Sequence, residues 1–93
     1  MRVIERNMLD AIETKVNWVG DNTEVVYHPN ADYSKVYLYD NLIAWVLHGE
    51  GVTIVSRETL AKHPTRTTKS RLRAMGVDVM TNMGTTYLNG EAV

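Results

Sequence analysis

The sequence predicts an α+β fold, an antiparallel β-meander and a C-terminal hairpin packed with two helices in the order α-β-β-β-β-α-β-β. Three observations carry this. Apolar residues recur every four positions near the start, at Ile4, Met8, Ile12 and Val16. Short runs of β-branched, aromatic and aliphatic residues then follow one another from Thr23 to Ser56, separated by Pro, Gly, Asn and Asp. A second helical pattern ends at Gly76, and two more short strand-like runs come after it. At 93 residues the chain is read as a single domain, 1–93.

The first helix is expected over 2–16, with Ala11 beside the apolar stripe and Glu5, Arg6, Asp10, Glu13 and Lys15 falling largely on the opposite face. The segment from Asn17 to Asn22 ends it, with Gly20 free to take a positive φ. Thr23–His28 is a short strand and Pro29–Asp32 a loop. Lys35–Tyr39 is the next strand. Asp40-Asn41 is a two-residue turn of types that tolerate the left-handed region. Leu42–His48 is apolar on both faces, Leu42, Ala44 and Val46 on one and Ile43, Trp45 and Leu47 on the other, as in a strand covered on both sides; Trp45 is assigned to the core. Gly49-Glu50-Gly51 turns the chain into Val52–Ser56.

Ser56-Arg57-Glu58 starts a helical turn that Pro64 interrupts. The second helix starts at Thr65 or Thr67, with Leu72 and Met75 three apart on its apolar side and Gly76 just past its end. Val77–Thr81 alternates as a strand, Asn82-Met83-Gly84 turns, and Thr85–Leu88 pairs back, with Asn89-Gly90 beyond it. Helices with so few apolar positions need a sheet to pack on.

Composition removes several function classes. There is no cysteine, which excludes disulfides, zinc fingers and cysteine nucleophiles. The net charge of −1 argues against both an acidic DNA mimic and a generally basic histone-like protein. No apolar run is long enough to span a membrane, and charges occupy the first residues, so a cytoplasmic protein is expected. His28, His48 and His63 are scattered without metal-ligand spacing, and Ser34, Ser56 and Ser70 lack a nucleophile elbow. Neither a catalytic residue, a metal nor a cofactor is assigned.

The near-neutral total conceals an asymmetry. Residues 57–73 hold six basic residues against Glu58 alone, and the remainder holds four basic and ten acidic. Arg66, Lys69 and Arg73 share one helical face by spacing, with Arg71 off it and the hydroxyls of Thr67 and Thr68 near the helix start. Two readings of this helix, about 62–75, stand. It pairs with the acidic remainder of its own chain, or Arg66, Thr67, Thr68, Lys69, Arg71 and Arg73 contact phosphate oxygens of a nucleic acid. A second candidate surface is Tyr37 and Tyr39, on one face of one strand, which suit a base-stacking platform, a protein interface or the back of the sheet.

Four segments carry a family resemblance: Asn22-Thr23-Glu24-Val25; Val36-Tyr37-Leu38-Tyr39-Asp40-Asn41-Leu42-Ile43-Ala44; Thr67-Thr68-Lys69-Ser70-Arg71-Leu72; and Tyr87-Leu88-Asn89-Gly90. Over residues 22–90 the chain resembles small accessory proteins of tailed bacteriophages. Their pattern runs through an Asn-Thr-x-Val strand, a Val-Tyr-Leu hairpin turning into Leu-Ile-Ala, a Thr-Thr-(Lys/Arg)-x-Arg-Leu helix and a Tyr-Leu-(Asn/Asp) strand. The chain departs from it in lacking a tryptophan between Leu60 and Pro64 and in its longer acidic first helix. The resemblance implies a phage protein acting in the cytoplasm of an infected bacterium, and a binding module rather than an enzyme. It carries over no functional residues. Two functions follow as expectations: nucleic-acid contact through the basic helix, or binding to a host bacterial protein that inhibits or redirects it. Homodimerisation through a β-edge or the tyrosine face is compatible with both.

Overall fold

The computed structural model describes residues 1–93 and has the expected α+β order, with three short elements added. Helix α1 (Val3–Thr14) leads into strands β1 (Trp18–Gly20), β2 (Thr23–His28), β3 (Tyr33–Leu38), β4 (Asn41–Leu47) and β5 (Val52–Val55). Helices α2 (Arg57–Lys62) and α3 (Arg66–Ala74) follow, then β6 (Val79–Asn82), β7 (Thr85–Leu88) and β8 (Glu91–Ala92). The first five strands form one antiparallel sheet in sequence order, and the last three form a second.

The additions have local causes. Strand β1 lies in the segment expected only to end the helix. Gly20 does not serve there as a positive-φ residue: the Trp18 ring lies across it, and a Cβ would stand 2.2 Å from Cζ2 of that ring. Strand β8 follows from Asn89-Gly90, whose positive φ angles of 51° and 85° turn β7 back on itself. The turn between β3 and β4 is Tyr39-Asp40, one residue earlier than expected, with φ of 49° and 65° and Leu38 opposite Asn41. The backbone N–H of Tyr39 donates to the Asn22 carbonyl at 2.8 Å, which ties this turn to the neighbouring β1–β2 hairpin.

The five-stranded sheet has two unlike faces. Trp18, Val25, Val36, Ala44 and Val55 stand opposite one another across all five strands. This row meets Met8, Ala11 and Ile12 of α1, Leu60 of α2 and Leu72 of α3 in a single core, which Val79 and Leu88 of the second sheet complete. All helices therefore cover the same face. A β-bulge corrects the expected two-sided burial of β4. Val36 pairs with Ala44 but Tyr37 with Leu42, so Ile43 is the extra residue, and both Ile43 and Ala44 are buried. Beyond the bulge Trp45 and Leu47 point away from the helices. Trp45 is not a core residue but is half-buried on the outer face.

Helix α3 ends as expected. Gly76 has φ 87°, its N–H donates to the Arg73 carbonyl at 2.9 Å, and the N–H of Val77 reaches the Leu72 carbonyl at 3.0 Å. No helix is long and apolar enough to cross a membrane.

Candidate functional site

The basic helix was the first candidate, and its placement decides what it does. Thr65 is its N-cap, the hydroxyl accepting the Thr68 N–H at 3.1 Å. Leu72 is fully buried, and the residues one, three and four positions before it are drawn toward the core with it. Arg71 is 2% exposed, Lys69 8% and Thr68 2%. These three side chains are thus enclosed within the fold rather than displayed on its surface. Arg66 and Arg73 are exposed and Thr67 is half-buried. The Arg73 Nε–H donates to the Val79 carbonyl at 2.9 Å, so that side chain is drawn onto β6. The Lys69 ammonium donates to the hydroxyl of Thr81.

Arg71 is the hub of a buried network. Its Nη1 meets a Glu5 carboxylate oxygen at 2.8 Å, its Nε–H donates to Thr23 Oγ1 at 3.0 Å, and its Nη2 reaches Asn22 Oδ1 at 3.3 Å. The hydroxyl of Ser70 donates to the same Glu5 oxygen. Three elements, α1, β2 and α3, are thereby joined by one guanidinium whose donors are directed at separate acceptors. Burial pushes the Glu5 carboxyl upward, but the hydrogen bonds from Ser70, Arg71 and the Arg2 backbone, with the Arg71 charge, hold it below its ordinary value. Glu5 was expected on the solvent face. It lies three residues before Met8 and seven before Ile12, which places it on the buried stripe, and Arg71 supplies the countercharge that makes the burial tolerable. The surplus of positive charge in residues 57–73 is thus partly answered within the chain. Lys62 also pairs with Glu58 at 3.0 Å.

A second polar cluster closes the far end of the sheet. Ser34 Oγ and His48 Nε2 are 2.8 Å apart, the Tyr27 hydroxyl donates to Asp32 Oδ1 at 2.8 Å, and Lys15 Nζ meets the same oxygen at 3.0 Å. A Ser, a His and an Asp lie close here, but the arrangement is that of a clamp. Ser34 is wholly enclosed, leaving no room for a substrate at its hydroxyl, and the Asp32 oxygen is occupied by Tyr27 and Lys15 rather than by the imidazole. The hydrogen bond from Tyr27, then that from Lys15, holds Asp32 below its usual value; the same contacts raise Tyr27 and Lys15. No group of three or more His, Asp or Glu side chains converges as a cation site would require.

The predicted tyrosine pair is divided. Val36 and Leu38 are buried as expected, and Tyr37 is half-buried beside Glu24 on the outer face. Tyr39 leaves the strand for the turn, where its hydroxyl accepts from Asn22 Nδ2 at 3.3 Å. What the tyrosines only touched is the larger feature. Following register outward, Val26, Lys35, Trp45 and Ile54 form one row, and His28, Tyr33, Leu47 and Val52 another. Tyr33, Trp45, Leu47 and Ile54 line a wholly apolar depression of about 370 Å³. Val52 is 44% and Ile54 47% exposed. His28 stacks on Tyr33 with ring centroids 4.7 Å apart. No helix lies over this face. The alternation Tyr33-x-Lys35 and Trp45-x-Leu47 carried the signal, but sequence alone could not say which face of the sheet the helices take.

Residues 1–92 match a family model described as Kyanoviridae Gp96 protein. The chain belongs to this phage protein family. No curated protein and no solved structure matches it. The family match therefore extends through the first helix, beyond residues 22–90.

Proposed function

We propose that this Kyanoviridae Gp96 family member is a protein-binding accessory module that engages a host bacterial protein, in the cytoplasm of the infected cell, through the outer face of its five-stranded sheet. One observation carries the reading: Tyr33, Trp45, Leu47, Val52 and Ile54 form a contiguous apolar surface that neither helices nor the second sheet cover. Aromatic and aliphatic side chains gathered on an open surface are the composition of the central part of a protein interface. Lys35 and Glu24 at its margin supply polar groups of both signs. The nucleic-acid reading is the weaker of the two, because the guanidinium of Arg71 and the ammonium of Lys69 are engaged within the fold.

The test is affinity capture from nuclease-treated bacterial lysate with three forms of the protein. A partner retained by the wild type and by Arg66→Ala/Arg73→Ala, but lost with Trp45→Ser/Leu47→Ser, is the expected result. Circular dichroism establishes that the last variant is folded. Loss with the arginine variant instead, or loss on nuclease treatment, would move the contact to the basic helix.

A further inference from the structure

We infer that β5 is a self-pairing edge, through which two copies of this chain join their five-stranded sheets into one continuous antiparallel sheet. The inference stands apart from the identity of any host partner, because it rests on the backbone of β5 and not on what the outer face contacts.

Strand β5 pairs only with β4 and closes one side of the sheet. The N–H of Ser56 donates to the Ile43 carbonyl at 2.8 Å, and Ile54 stands opposite Trp45. In an antiparallel ladder the hydrogen-bonded positions alternate, so Val52, Ile54 and Ser56 direct their backbone groups at β4, and Thr53 and Val55 direct theirs outward. None of the backbone hydrogen bonds outside the helices and ladders involves Thr53 or Val55, and no side chain caps either. The residues of the edge offer no protection of their own. Val-Thr-Ile-Val contains no charge, no proline and no bulge. At the opposite edge β1 is three residues long and turns away at once through Asp21, which has a positive φ.

The occupant that fits is a second copy. A two-fold axis at Ile54 places Thr53 of one copy opposite Val55 of the other, and the reverse. That pairing satisfies every outward N–H and carbonyl of both residues within the strand and keeps each face of the sheet continuous. Ile54 then meets Ile54 of the other copy on the outer face, at the close, non-hydrogen-bonded type of pair. The two outer apolar surfaces become one. The edge contact is smaller than a standard interface of about 800 Å² per partner, so association is concentration-dependent.

The experiment uses the absence of native cysteine. Ile54→Cys and Val52→Cys are prepared separately and exposed to oxidised glutathione. In the proposed pairing the two Ile54 positions are within disulfide reach, whereas the two Val52 positions are roughly 14 Å apart along the strands. The expected result is a disulfide dimer with Ile54→Cys and at least tenfold less with Val52→Cys. Sedimentation of the wild type should show the mass doubling as concentration rises, and Thr53→Pro should abolish this while leaving the fold intact, because that N–H faces away from β4. Equal cross-linking at both positions overturns the inference, as does a wild-type chain that stays monomeric to millimolar concentration. A monomer that still captures its partner through Trp45 would leave the protein-binding reading standing and remove this one.

Discussion

The two faces of the five-stranded sheet are made from the same kinds of residue and end in opposite surroundings. Val25, Val36 and Ala44 are completely buried, whereas Val52 and Ile54, as apolar and on the same strands or their neighbours, are close to half exposed. What separates them is the side on which the connections run. All three helices cross the Val36 face, and Arg71 fastens two of them there by a charged contact that is almost wholly buried. The outer face has no counterpart to that fastening. Apolar character therefore marks two different things in this chain, a core where cover exists and an open apolar surface where it does not.

The sharpest way to break the covered side is to remove the guanidinium. Arg71→Leu leaves the Glu5 carboxylate buried among Met8 and Ile12 without its countercharge, and such losses cost about 3–5 kcal/mol. Against a whole-domain stability of about 5–15 kcal/mol, the denaturant midpoint should fall steeply. Adding Glu5→Leu should restore much of it, since a volume-matched apolar pair no longer carries an uncompensated charge. A single variant that loses less than about 1 kcal/mol would mean that the pair is open to water, as exposed ion pairs are.

How much of this was legible in the sequence depends on the distance over which each signal acts. Helix α1 follows from spacing, and the end of α3 from Gly76, because both are local. The β-bulge at Ile43 is not local. Leu42 to Leu47 is apolar throughout, so either register fits the pattern, and only pairing with β3 decides. The basic helix shows the same limit. Its spacing was visible, but the partner of Arg71 is Glu5, 66 positions away, and the acceptors Asn22 and Thr23 are almost as distant. Glu5 itself could have been found, since its offset of three from Met8 puts a carboxylate on the apolar stripe. Asn89-Gly90 could likewise have announced β8, being the commonest signature of a two-residue hairpin.

Acid provides an intermediate test of the covered side. The Glu5 carboxyl is held below its ordinary value of 4.5 in the folded chain, so the unfolded chain takes up the proton first as pH falls. The stability that Glu5 contributes is complete above about pH 4.5 and is lost as pH drops through the folded value. Asp32, also depressed by Tyr27 and Lys15, acts with the same sign but from an exposed position, so its share is smaller. Thermal melts at pH 7 and pH 3 should show the decline, and Glu5→Gln should flatten it. An unchanged acid limb in Glu5→Gln would assign the loss to the surface pair instead.

The smallest expected effect is the one that gives the comparison its meaning. Leu72→Ala, on the covered side, opens a cavity and should cost about 2–5 kcal/mol. Trp45→Ser removes a larger side chain from the outer face, yet that side chain is only half-buried and the helices do not rest on it. Its cost to the monomer should stay within about 1 kcal/mol, in the range of surface substitutions, when urea midpoints are compared at low protein concentration. A residue of this size that adds little to folding, half-buried beside Tyr33 and Leu47, would be free to serve the proposed interface. If Trp45→Ser instead destabilised the isolated chain as much as Leu72→Ala, the outer face would be a second core, and the distinction on which the binding surface rests would disappear.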